Sequence, residues 1–176
     1  NFFNARLPIK YIIMHYTEVT LENTLKIFTT QKVSAHFTID RNGDIYQHVH
    51  VDKTARHAGC SFWECDITIP EKMYKEDSKI KEIAPNMLKV NLSSIGIEHV
   101  NFGIDPSNGD TNRVVVKGWE NVSFQTYDQA QIKQSILLTK SLIDKYDIKP
   151  WHILGHSDIA PWRKEDPGPL FPWKQY

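Results

Sequence analysis

The stretch IKYIIMHY, Ile9 to Tyr16, decides how this chain is built. β-Branched and aromatic side chains crowd both alternating sets of positions, the pattern of a strand buried on two faces rather than one. Such a strand lies inside a sheet with other layers above and below it, so helices are expected to cover it. It ends at His15, followed by Thr17 and Glu18, which leaves an imidazole at a strand end.

Working outward, TLENTLKIFTTQ (20–31) carries Leu21, Leu25 and Phe28 at helical spacing and predicts a short amphipathic helix. In AHFTIDRNGDIYQHVHV (35–51), Asn42-Gly43 lies between two alternating segments and predicts a hairpin with a two-residue turn. Strand alternation in SSIGIEHVNFG (93–103) puts Ile95, Ile97 and His99 on one face and Gly96, Glu98 and Val100 on the other. A long helix is expected to open at TYDQ, with Thr126 and Gln129 as a capping box, and to stop before Pro150. WHILGH (151–156) reads as a last short strand that delivers His156 into the following loop. Residues 66–92, with the charged run EKMYKEDSKIKE, read as a surface insertion. With no internal repeat, strands mixed with helices predict a single α/β domain over 1–176: a central mixed β-sheet flanked by helices.

Composition narrows the function classes. The 176 residues hold 21 Lys plus Arg against 21 Asp plus Glu, so no net field gathers nucleic acid or an anionic membrane surface. Apolar runs such as YIIM and ILL are far shorter than the roughly 20 residues that span a bilayer, so no membrane-spanning segment is expected. Cys60 and Cys65 fit either a small disulfide loop or two thiols, and are too few for a four-cysteine zinc site.

The densest chemistry lies in GHSDIAPWRKEDPGPLFPW, Gly155 to Trp173. His15, His156 and Asp166 fall at the ends of separate elements. Two neutral imidazoles and a carboxylate leave a tetrahedral zinc one open position for water, the arrangement of a catalytic site. The chain has eight histidines, and any one of them taken alone is more often a hydrogen-bonded structural residue than a ligand.

The string HSDIAPxRKxDPGPLFPW, together with HYT after a strand, ARHAG (55–59) and SIGIE (94–98), resembles the type 2 N-acetylmuramoyl-L-alanine amidases, bacterial zinc enzymes related to phage amidases and peptidoglycan recognition proteins. The motifs run in family order from about Lys10 to Trp173. The resemblance implies a mixed sheet with zinc in a surface groove, and hydrolysis of the amide joining the lactyl group of N-acetylmuramic acid to L-alanine. Position by position it implies one zinc ion on His15, His156 and Asp166, Glu98 as the proton-transfer group, and Lys164 as stabiliser of the tetrahedral oxyanion. It further implies that His57 contacts substrate, as Arg163 and Trp162 are expected to do. Trp162 stands where relatives commonly place Gly, and Ala35 in SAHF where some phage relatives carry a proton-transferring Tyr. The implied partner is peptidoglycan or a muropeptide, met by a monomer in the periplasm or cell envelope, with the cytoplasm as alternative. The rival class is a non-catalytic peptidoglycan-binding domain, whose members typically lose a metal ligand; this chain retains all three.

Overall fold

The computed structural model describes residues 2–3, 7–59, 90–104, 113–120 and 122–176. In chain order the elements are β1 (Phe2–Phe3), β2 (Tyr11–Tyr16), α1 (Leu21–Thr30), β3 (Phe37–Ile39), β4 (Ile45–Gln47), β5 (Thr54–Ala55), α2 (Val90–Ser93), β6 (Ser94–His99), β7 (Arg113–Val115), β8 (Ser123–Gln125), α3 (Gln129–Tyr146), β9 (Ile153–Gly155) and α4 (His156–Ile159). Cys60, Cys65 and all of the expected insertion before Val90 lie outside the described residues.

The main sheet has five strands in the order β4-β3-β6-β2-β9. β2 runs parallel to both β6 and β9, β3 parallel to β6, and only β4 is antiparallel, so the sheet is mixed. All six residues of β2 are buried, as the crowding of apolar side chains on both its faces requires. Ile12 and Met14 join Ile95, Ile97 and Ile39 in a core covered by Ile132 and Leu142 of α3. On the opposite face Tyr11 and Ile13 pack with Ala58, Val90 and Ile159. Alternation then sends His15 to the same side as Tyr11 and Ile13. The register pairs Ile13 with Gly96 and His15 with Glu98, so Gly96 and Glu98 share that side. Burial of Ile97 is complete, so Ile97→Ala is expected to cost about 2–5 kcal/mol, read as a lower urea midpoint at unchanged slope.

Two local expectations are corrected. The hairpin turn is longer than two residues: Asp40 N–H donates to Asp44 O and Gly43 N–H to Asp40 O, leaving Arg41, Asn42 and Gly43 as the loop. Only Gly43 takes the positive φ, at 94°, the three-residue form in which a single left-handed residue follows an ordinary turn. Asn42 is spared the left-handed conformation because its Oδ1 accepts the Asp44 N–H, an Asx-type closure. Likewise α3 starts at Gln129 with Asp128 as N-cap, not at a Thr126–Gln129 box. Asp128 makes no capping bond because its carboxylate takes the Arg41 guanidinium instead, tying the hairpin tip to the helix start. The far end of α3 meets expectation: Asp147 closes it in the left-handed conformation, ahead of Pro150.

α1 is helical as predicted, with the Thr20 hydroxyl accepting the Asn23 N–H, but its inward face does not join the main core. Thr24, Ile27 and Phe28 instead form one wall of the pocket described below. No helix among the described residues is long and apolar enough to cross a membrane.

Candidate active site

Three chain segments converge beyond the C-terminal ends of β2 and β9, where parallel strands of an α/β sheet commonly leave a crevice. His15 is the fifth residue of β2, His156 opens α4 directly after β9, and Asp166 lies ten residues on in the proline-rich loop. The loop is held back against α4 by the Ser157 N–H, which donates to Asp166 O at 2.8 Å. His15 Nδ1, His156 Nδ1 and Asp166 Oδ2 form a triangle with all three sides 3.0 Å. These residues are 1%, 4% and 3% exposed, so bulk water does not separate them.

Hydrogen bonds alone do not satisfy this triangle. His156 Nε2 lies 3.0 Å from Ala58 O, and a carbonyl only accepts, so Nε2 carries that ring's proton and Nδ1 presents a lone pair to the triangle. Burial and the neighbouring His156 push the His15 pKa down to about 4, so His15 is neutral at pH 7. Burial pushes the Asp166 carboxyl up, but the hydrogen bonds and charge that His15 and His156 offer when protonated outweigh it and hold it below the usual carboxylate range. Asp166 Oδ1 is buried without a hydrogen-bond partner. Two imidazoles and a carboxylate crowded to 3.0 Å suit a cation. Bonds of about 2.0–2.2 Å at tetrahedral angles separate donor atoms by about 3.3 Å, close to the observed triangle. The three residues therefore fit a zinc ion.

The triangle opens into a pocket of about 270 Å³ that Glu98, Lys164, His57 and Arg163 also line. Glu98 Oε2 is buried and has no hydrogen-bond partner, although its neighbours on β6 are fully paired in the sheet. Burial, then the Asp166 charge, push the Glu98 carboxyl well above its ordinary range, and the Lys164 ammonium pulls it back. A buried carboxyl group with a raised pKa beside a pocket is a candidate general acid or base.

The other expected substrate contacts are placed differently from one another. His57 lines the pocket, but both its ring nitrogens meet protein, Nδ1 on His15 Nε2 at 3.0 Å and Nε2 on Ser94 Oγ at 3.1 Å. The Arg163 guanidinium donates to Ala58 O and lies 3.3 Å from His156 Nε2, bracing the loop that carries Ala58. Trp162 does not line this pocket; it is 43% exposed in an adjoining cleft with Trp119, joined to the first through Arg163 and Lys164. Ala35 is fully buried.

Sequence reading missed the supports behind the ligands. Asn91 Oδ1 accepts the backbone N–H groups of both His57 and Ala58, at 3.0 and 2.9 Å, fixing the loop behind His15 and His156. His99 backs the same strand from the other face of the sheet. Its Nδ1–H donates to His15 O at 2.9 Å, its Nε2 meets Ser135 Oγ at 2.7 Å, and the Tyr176 hydroxyl donates to Ser135 Oγ. Ser135 and Asn91 are polar residues at positions whose spacing to the ligands carries no signal, since the contacts span 33 or more residues.

Comparison with known proteins agrees with the geometry. The family model described as N-acetylmuramoyl-L-alanine amidase matches residues 5–169. The chain is 35% identical over 174 residues to the N-acetylmuramoyl-L-alanine amidase AmiD of Escherichia coli, covering 95% of this chain and 51% of that protein. It is 32% identical over 145 residues to the 1,6-anhydro-N-acetylmuramyl-L-alanine amidase AmpD of Escherichia coli, covering 82% and 57%. The chain thus spans about half the length of these relatives. Among solved structures, AmiD of E. coli in complex with anhydro-N-acetylmuramic acid-L-Ala-D-gamma-Glu-L-Lys superposes with a TM-score of 0.70 at 32% identity, over 97% of this chain and 57% of that one. AMPDH3 of Pseudomonas aeruginosa in complex with anhydromuramic pentapeptide gives 0.69 at 29% identity, over 97% and 59%. A matched family model over nearly the full chain, a shared fold and a buried His-His-Asp triangle that could hold a metal ion lead to one conclusion: the chain belongs to the N-acetylmuramoyl-L-alanine amidase family.

Proposed function

We propose that this chain is a zinc-dependent amidase that cleaves the bond between the lactyl group of N-acetylmuramic acid and L-alanine, in peptidoglycan or in muropeptides released from it. The observation that carries the reading is the partnerless Glu98 Oε2 facing the same pocket as the His15–His156–Asp166 triangle. One zinc ion on those three residues supplies a Lewis acid that lowers the pKa of a water molecule towards roughly 7. Glu98 takes the proton of the attacking water and returns it to the nitrogen of the departing L-alanine, so one carboxyl serves as base and then as acid. Lys164 brings a positive charge to the pocket wall, where the carbonyl oxygen gains negative charge as the tetrahedral centre forms. β2 and α4 carry His15 and His156, and the Ser157 N–H ties the loop of Asp166 to α4, so the three residues are placed without help from substrate.

The direct test is mass spectrometry of products from isolated anhydro-muropeptides and from intact sacculi. Free stem peptides beginning with L-alanine are expected from at least one of them; no release from either, with zinc bound, would leave only a binding domain. Lys164→Ala is expected to retain zinc and lower kcat by about 10²–10³, with a smaller change in KM, because its charge acts on the transition state rather than on the bound amide. We place the protein in the periplasm or cell envelope, where the intact wall lies, with breakdown of imported fragments in the cytoplasm as the second setting; cell fractionation separates them.

A further inference from the structure

We infer that His57 is a positioning residue that locks His15 in its metal-binding tautomer through a one-way hydrogen-bond chain ending on a backbone carbonyl. The inference rests on the zinc reading above and adds to it a residue that is not itself a ligand. Its direction follows from the far end. The Ser94 hydroxyl lies 2.6 Å from Val90 O, and a carbonyl only accepts, so the single hydroxyl proton is committed there. Ser94 Oγ, 3.1 Å from His57 Nε2, is then left to accept, and Nε2 carries the proton of the His57 ring. His57 Nδ1 in turn is a bare acceptor, and His15 Nε2, 3.0 Å away, donates to it. With its proton on Nε2, His15 presents the Nδ1 lone pair to the triangle with His156 and Asp166. The chain thus does for His15 what Ala58 O does directly for His156.

The ring of His57 is held in the required orientation by its surroundings. It meets His15 edge-on, with centroids 5.1 Å apart and planes at 79°. Its backbone N–H is bound by Asn91 Oδ1, and it lies directly over Gly96. A Cβ at Gly96 would come within 2.4 Å of His57 Cγ, so only glycine at this strand position admits the imidazole. Ser94, Gly96 and Glu98 alternate along one face of β6, so a single strand face supplies the last side chain of the hydrogen-bond relay, the floor beneath His57 and the proposed proton-transfer group.

The test is zinc affinity of the full chain, measured by competition with a chromophoric chelator, together with the visible spectrum of the cobalt-substituted protein. His57→Leu fills the space but accepts no hydrogen bond; about 10–100-fold weaker zinc binding and a shifted cobalt spectrum are expected. His57→Asn places an amide oxygen near the position of Nδ1 and is expected to recover most of the affinity and the parental spectrum. Ser94→Ala frees the His57 tautomer and should weaken zinc by a smaller factor; it also keeps the test open should His57→Leu fail to fold. Parental affinity in His57→Leu and Ser94→Ala overturns the inference while leaving the zinc reading standing. Equal weakening in the Leu and Asn variants also overturns it, since the ring would then act by packing alone. A parent protein that binds no zinc removes the proposed function itself.

Discussion

Dialysis against a chelator is expected to abolish turnover, and one equivalent of zinc per chain to restore it, while the metal-free protein stays folded. The fold supports the separation. Ile12, Met14, Ile95 and Ile97 are packed under α3, and Tyr11 and Ile13 under Val90 and Ile159, so neither core includes a triangle residue. What a bound metal would stabilise is local. Without a cation, the three atoms face one another at 3.0 Å, and acceptors this close repel unless a proton or a cation lies between them. Binding to the folded state alone adds about 4.1 kcal/mol when free zinc is a thousand times Kd, so the melting temperature should climb with added zinc. Elemental analysis, thermal melting and product release on the same preparation check the prediction together. Full activity in protein shown to be free of metal would sink the mechanism, and collapse of the metal-free fold would show that the triangle holds the core together.

How far the sequence foretold this site depends on the kind of interaction. The strand IKYIIMHY was legible because burial on two faces leaves a periodic record, and His15 at its end followed from counting. The face shared by Gly96 and Glu98 was legible from alternation alone, and the register with β2 then explains why Glu98 stands beside His15. By contrast, the turn at Asn42 and the start of α3 turned on single side chains choosing distant or competing partners, Asp44 in one case and Arg41 in the other. Periodicity does not encode such choices. The same holds for Asn91, Ser94 and Ser135, whose contacts with Ala58, His57 and His99 cross 33 or more residues of chain and make sense only once the strands are paired.

Glu98→Gln is expected to leave zinc affinity near the parental value and to lower turnover by about 10²–10⁴, the usual worth of a general acid–base group. The same change should leave the metal-free protein more stable at neutral pH, because the buried carboxyl is poorly satisfied as an anion. The sign follows from linkage. Burial and the Asp166 charge raise the folded-state pKa of Glu98 well above its unfolded value, so the folded state holds that proton more tightly. Its stabilising contribution is complete below the unfolded pKa and is lost as pH rises through the folded one. A glutamine stays neutral throughout, and Oε2, which has no partner in the parent, is replaced by a group that bears no charge to desolvate. Urea unfolding of both metal-free proteins should therefore show a gap in favour of the variant that widens with rising pH, beside a large deficit in product release at every pH. Opposite signs in stability and activity are what a group retained for chemistry produces. Parental turnover in the variant would leave the pocket with no assigned proton acceptor, and a variant less stable than the parent at neutral pH would show that the carboxylate finds a partner after all.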